Sequence, residues 1–311
     1  PSGVVLNYQY LKNGLVSSVK QLKSGVEYPV VSDIKYLPFG PLSEMKFGNG
    51  KLLQRNYDLD YRLAAQQVTG LPEVKYQYDP VGNISSITNG SVLSFSYNYD
   101  DVSRLIQANN SASTDSFSYD AIGNRLDHTK GNQRINYLYN NGTLTQAGSK
   151  SFLYNASGHV IGGGDLSYTY NDAGRMTEAR NSAGTSSYIY NYLGQRIVKV
   201  TGSVTTHYHY DQQGLLIAES TASGVFSKQY VYLGSELVGL IYNNQLYYVH
   251  NDHLGRPYVI TGQNQAVVWE AKLEAFDRSV ISSSIGEFNI GFPGQYWDVE
   301  KGSWYNYFRD Y

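Results

Sequence analysis

The sequence predicts an all-β fold built from a long run of stacked hairpins. Three observations predict it. Tyrosine recurs on a near-constant spacing: Tyr57, Tyr78, Tyr99, Tyr119, Tyr139, Tyr154, Tyr170, Tyr190, Tyr210 and Tyr232 are separated by 21, 21, 20, 20, 15, 16, 20, 20 and 22 residues. A fixed period of this size marks a repeat architecture. Most of these tyrosines follow another aromatic two residues earlier, as in Tyr76/Tyr78, Phe117/Tyr119 and Tyr230/Tyr232. Residues at i and i+2 share one face of a strand. Composition agrees: the chain holds 31 Tyr and 31 Gly, residue types that favour pleated strands and turns respectively.

One repeat reads in order as strand, turn, strand and break. The aromatic pair ends the first strand. A turn follows, as in Asp120-Ala121-Ile122-Gly123-Asn124. Its Asp can bond to its own backbone two residues on, and its Gly can take the positive φ that closes a short loop. Gly82, Gly123, Gly158, Gly174, Gly194, Gly214 and Gly255 occupy this turn position. The chain returns as a second alternating strand, Arg125 to Thr129 in this repeat, and a Gly/Asn break such as Lys130-Gly131-Asn132 ends the unit. About 20 residues thus encode one hairpin with its connector. Almost no helix is expected.

A lone hairpin is marginal in water, so neighbours must stack. Stacking aligns the tyrosine pairs into ladders, each aromatic contact adding roughly 0.5–1.5 kcal/mol beyond area burial. Arg104, Arg125, Arg175 and Arg196 follow the turns and are placed to lie over neighbouring rings. Two architectures fit the period. Paired hairpins would make four-stranded propeller blades. Side-by-side hairpins would make one long spiralling sheet. The short gaps around Tyr154 favour the spiral, because a closed ring tolerates unequal blades poorly.

Composition also excludes several function classes. Net charge is −2 and only 16% of residues are charged, so no basic excess attracts nucleic acid. No apolar run approaches the roughly 18 residues of a membrane span. The absence of cysteine excludes disulfides and thiolate metal sites, and it suits passage between redox compartments. Pro1 is not a native start, so the sequence reads as an excerpt of something longer.

The Tyr-Asp units, Tyr36-Leu-Pro-Phe-Gly-Pro, His250-Asn-Asp-His-Leu-Gly-Arg-Pro, Val268-Trp-Glu-Ala and Phe292-Pro-Gly-Gln-Tyr-Trp-Asp together resemble the RHS (rearrangement hotspot) proteins with YD repeats. The resemblance divides the chain into a repeat array over 1–249 and an RHS-repeat-associated core segment over 250–311. It implies a β-sheet spiralling into a hollow shell. Such shells enclose a C-terminal toxin in bacterial toxin complexes and type VI secretion effectors, and they act in adhesion in related surface proteins. The expected role is therefore an encapsulating wall, made in a bacterial cytoplasm and secreted or delivered by a secretion system. Its partners would be the enclosed toxin and the translocation machinery. The tyrosines and turn glycines would assemble the wall. In the core segment, His250, Asp252, His253, Trp269, Phe292, Pro293, Gly294, Trp297, Arg309 and Asp310 carry the resemblance. Trp269 and Phe292–Trp297 would form the closing end. The family's self-cleaving aspartyl protease uses paired Asp-Pro elements. This sequence stops before them, so no enzymatic activity is expected.

Other constellations read as scaffold first. His207 and His209 share a strand face but lack a nearby third metal ligand. His250, Asp252 and His253 are a dense acid–imidazole group, set in a turn-like sequence. Asp79-Pro80-Val81-Gly82 lies inside an ordinary repeat turn. Glu270, Glu274, Asp298 and Glu300 remain as carboxylates for glycoside hydrolysis, where spatial separation decides. No metal or cofactor is expected. The alternatives to a wall are an adhesion module whose exposed aromatics bind glycans, and a glycosidase-like enzyme on a propeller.

Overall fold

The structure, a computed structural model, describes residues 4–90 and 93–310. Those residues contain strands and turns and no helix, and so none long and apolar enough to cross a membrane. Among them, 28 strands belong to one antiparallel sheet, and three short strands, Tyr296–Asp298, Ser303–Asn306 and Arg309–Asp310, form a second. Successive strands pair with each other along the large sheet, as Thr114–Tyr119 does with Arg125–Lys130 and that strand with Gln133–Asn140. A propeller would break this succession into separate blades. The continuous pairing instead realises the side-by-side addition of hairpins.

The turn chemistry operates as the residue types dictate. The Asp120 N–H donates to the Asn124 carbonyl at 2.9 Å, and the Gly123 N–H to the Asp120 carbonyl at 3.2 Å. One Asp120 carboxylate oxygen accepts the N–H groups of Ile122 and Asn124, and the other accepts the Asn124 amide. Asp100 repeats the pattern with Val102 and Arg104. Gly123 has φ +92°, a left-handed value that side chains disfavour.

A feature invisible in the sequence recurs beside most of the repeat turns whose pairing is described. Tyr119 opposes Arg125 while Ser118 opposes Asp127, so Leu126 is an extra residue and the return strand bulges. The same slip flanks Tyr78, Tyr99, Tyr139, Tyr154, Tyr190, Tyr210 and Tyr232. A bulge bends its strand and raises the local twist. The anchor tyrosine stabilises this irregularity in the hairpin before it. Tyr78, Tyr99, Tyr119, Tyr139, Tyr210 and Tyr232 donate their hydroxyls to the carbonyls of Leu63, Ile84, Leu105, Arg125, Arg196 and Leu216. Each acceptor opens the preceding return strand. The ring is half-buried while its polar tip binds backbone of the neighbouring repeat, which is the property that distinguishes Tyr from Phe here.

The chain divides into two compact units: residues 1–53 with 168–311, and residues 54–167. In the second unit nearly all side chains are half-buried or exposed, with Tyr76, Phe117 and Ala108 among the few buried apolar ones. The first unit carries a large core of Tyr208, Tyr230, Leu240, Val249, Ile260 and Trp269, into which Phe288, Ile290, Tyr296 and Tyr305 insert from the C-terminal segment. N-terminal residues also pack on this unit. Tyr8 donates to the Tyr232 carbonyl at 2.9 Å. Gly48 lies so close to Pro29 and Tyr248 that a Cβ there would fall 1.8 Å from the Pro29 carbonyl oxygen.

Candidate closure site

The C-terminal segment is pinned to the sheet by a buried ionic cluster in the first unit. Strand Arg196–Thr201 supplies Arg196 and Lys199, strand Tyr296–Asp298 supplies Asp298, and the turn after it supplies Glu300 and Lys301. Both Arg196 and Asp298 are buried. The guanidinium grips the carboxylate with both terminal nitrogens, the fork geometry that suits arginine and carboxylate. Lys199 reaches Asp298 at 3.1 Å and Glu300 at 3.2 Å. Lys301 bridges Asp298 and Asp310. Three cations thus face three carboxylates, as a buried cluster requires.

Aromatic rings complete the cluster. The Arg196 guanidinium lies 4.2 Å from the Tyr305 ring centroid, 5.0 Å from Tyr208, 5.2 Å from Tyr188 and 5.5 Å from Tyr296. The Tyr188 hydroxyl donates to Glu300 at 2.8 Å, and the Arg196 N–H donates to the Tyr305 hydroxyl at 3.1 Å. Burial alone would push the Asp298 carboxyl up. The Arg196, Lys301 and Lys199 cations override it and hold Asp298 far below the usual carboxylate range. Burial followed by the Glu300 charge drives the Tyr188 phenol up, so it remains a donor.

Two further anchors flank this cluster. Glu219 accepts hydroxyls from Tyr230 and, at 3.1 Å, from Tyr296, which joins the sheet to the C-terminal segment a second time. Arg278 donates to the carbonyls of Phe288 and Ile290. Its guanidinium is 5.0 Å from the centroids of both Trp269 and Trp304. Burial lowers Arg278 to about 10. Arg175 lies 4.0 Å from the Phe308 centroid and donates to the Tyr307 carbonyl.

The core residues singled out in the sequence fall into distinct places. Trp269 is buried edge-to-face on Phe288, and Trp297 meets Trp304 at 5.0 Å. Phe292 points largely to solvent, whereas Pro293 closes on Gly255, where a Cβ would come within 2.9 Å of its ring. Gly294 takes φ +87°. Asp310 joins the cluster through Lys301, and Arg309 is exposed. His250 and Asp252 do not converge on a common site. Asp252 caps its turn through the N–H groups of Leu254 and Arg256 and pairs with the Arg256 guanidinium. His250 points into the interior toward Thr261. His253 lies 3.8 Å from Asp252, and burial lowers its affinity for a proton. Of the carboxylates considered for glycoside hydrolysis, Asp298 and Glu300 are committed to the lysines and Arg196. No group of three His, Asp or Glu side chains among the described residues converges as a metal site.

Glu219, Lys199 and Arg278 escaped sequence reasoning, as did the partner of Arg196. A weak signal existed for one of them. Lys199 lies in the run Ile-Val-Lys-Val after Arg196, more apolar than the Leu-Asp-His-Thr after Arg125, which marks a return strand partly covered on both faces.

The family model described as Teneurin YD-shell matches residues 4–302. Among curated proteins, the tRNA3(Ser)-specific nuclease WapA of Bacillus spizizenii is 24% identical over 208 residues, which are 63% of this chain and 9% of that protein. Among solved structures, the Photorhabdus luminescens Tc holotoxin pore aligns with a TM-score of 0.81 at 18% identity, covering 99% of this chain and 18% of that one. The TcdB2-TccC3 crystal structure aligns with a TM-score of 0.80 at 18% identity, covering 100% and 19%. The chain therefore spans less than a fifth of the length of these neighbours, and the likeness concerns the fold.

Proposed function

The chain belongs to the Teneurin YD-shell family, and from that premise we propose that it is a wall segment of a larger encapsulating polypeptide. The wall encloses an attached polypeptide, a toxin domain in the manner of the secreted RHS toxins, and shields it until delivery. The tyrosine hydroxyls bond repeat to repeat, so the wall needs no deep two-layer core to hold its strands together. The observation that carries this reading is the Arg196–Asp298 pair. It fastens the last segment of the chain onto the aromatic face of the sheet with a buried, charge-balanced lock. The fold shared with Tc toxin components supports it. The nuclease activity named for the Bacillus relative is a property of that protein.

The absence of cysteine permits a clean test. A single cysteine is placed in the polypeptide that follows this segment in the native full-length protein, and its reaction with a maleimide is timed. Encapsulation predicts labelling at least tenfold slower in the native state than in urea. Equal rates would refute the reading.

A further inference from the structure

His250 occupies the joint between an N-terminal turn and the core hairpins of the first unit. Its ring is buried, and its edge meets Phe47 at 4.6 Å and 80°. Phe47 begins the tight turn that ends at Lys51, closed by bonds from Phe47 N–H to the Lys51 carbonyl and from Gly50 N–H to the Phe47 carbonyl. Asn49 docks this turn. Its amide donates to the Thr261 hydroxyl at 3.0 Å and to the Gly262 carbonyl at 2.9 Å, and the Gln265 amide donates back to the Asn49 carbonyl. The same Thr261 hydroxyl lies 2.9 Å from His250 Nε2. Nδ1 of His250 is buried without a hydrogen-bond partner.

The proton count at this junction is asymmetric. The Asn49 amide can only donate, so Thr261 Oγ1 accepts it and keeps one hydrogen that can go to an unprotonated His250 Nε2. A neutral ring takes that hydrogen and leaves one nitrogen unmatched. An imidazolium has N–H donors at both nitrogens. Its Nε2–H competes with the Thr261 hydroxyl hydrogen, and its Nδ1–H still finds no acceptor. Buried orphan donors cost free energy comparable to a lost hydrogen bond or more. Charges nearby give no relief. Lys51, from the docked turn, repels a second cation. On neighbouring elements, Glu236 lies against Asn251 and Asp252 is bound by Arg256. Burial, then Lys51, lowers His250 to about 3.

We propose that His250 makes the docking of the Phe47–Lys51 turn onto the Thr261–Gln265 corner pH-sensitive, so that acid opens this joint of the wall. The sign follows from linkage. Closed, the site holds His250 neutral; open, the ring binds a proton near its ordinary 6.5. Docking is complete above that value and weakens as pH falls toward about 3. The open-to-closed ratio at pH 5 then rises about 30-fold over its value at pH 8.

Hydrogen exchange of the intact chain at pH 8 and pH 5, corrected for intrinsic rates, tests this on amides of residues 42–57, with residues 184–201, which contain no histidine, as the internal reference. The expected result is faster opening in acid by about 30-fold in the first segment, little change in the second, and loss of the acid response in His250→Gln. An unchanged opening ratio in the native protein, or the same acid response in His250→Gln, overturns the proposal. Should that variant not fold, NMR titration of the His250 ring in the native chain decides. A ring that stays neutral at pH 5 supports the joint, and one that titrates near 6.5 overturns it.

Discussion

Asp298, on a three-residue strand near the C-terminus, accepts both terminal nitrogens of Arg196 from 102 residues earlier in the chain. Neither charge reaches solvent. Removing one partner strands the other, which costs about 3–5 kcal/mol for buried pairs. Arg196→Met and Asp298→Leu should each destabilise the first unit by that order. The double variant should recover most of the loss, because apolar replacement of a whole buried pair is near neutral. Urea unfolding of the four proteins in a double-mutant cycle checks this. The Asp298 contribution also has a defined pH window. With its carboxyl lowered from 3.8, stabilisation is complete above that value and is lost only as pH falls through the still lower folded value.

The tyrosine hydroxyls predict a graded response to Tyr→Phe. Tyr232 donates to the Leu216 carbonyl beside the large core, while Tyr99 donates to the Ile84 carbonyl in the second unit, where few side chains are buried. Tyr232→Phe should cost about 1–3 kcal/mol by orphaning a buried carbonyl, and Tyr99→Phe about 1 kcal/mol or less where water can replace the hydroxyl. Chemical denaturation midpoints at constant slope measure the difference.

Two turn glycines with similar backbone should respond differently to alanine. Gly123 and Gly194 have φ +92° and +81°. A Cβ at Gly123 meets open space, whereas one at Gly194 would lie 2.2 Å from the Arg175 guanidinium. Gly123→Ala should therefore cost only the left-handed strain of about 1–2 kcal/mol. Gly194→Ala should cost more, and the excess should disappear in an Arg175→Ala background. Thermal unfolding of the two glycine variants, Arg175→Ala and the Arg175→Ala/Gly194→Ala double variant measures this.

Alkali should unfold the chain cooperatively. Burial raises Tyr170, Tyr208 and Tyr248 to about 12 from 10.0. Their phenols favour the folded state in neutral form. That stabilisation is intact below pH 10 and is lost as pH rises through the folded values. Phenolate absorbance should show an early phase from exposed rings and a late, steep phase coincident with loss of β-sheet circular dichroism. A single smooth titration near pH 10 would contradict the burial.

Much of the fold was legible because it is local. Asp120, Gly123 and the Phe117/Tyr119 pair lie within seven residues, and strand period and turn chemistry act at that range. The bulge at Leu126 was not legible, since a one-residue slip leaves no mark on the alternation of a half-exposed strand. The hydroxyl bond from Tyr119 to Leu105 was likewise hidden, because the sequence shows a ring but not what its tip meets. The ionic cluster around Arg196 and Asp298 was the least legible part. Arg196 occupies the same motif position as Arg125, and only the folded chain brings Asp298 to one and the Tyr137 ring to the other. Asp298 itself entered only as one unpaired carboxylate among several.

Protease protection of the native full-length polypeptide tests the central claim most directly. A broad-specificity protease is added under native conditions, and survival of the sequence attached to this wall is followed by mass spectrometry. Encapsulation predicts that the attached sequence persists as long as the wall does, and that Arg196→Met exposes it while most repeats remain intact. Rapid loss of the attached sequence from a wall that itself survives would contradict the account.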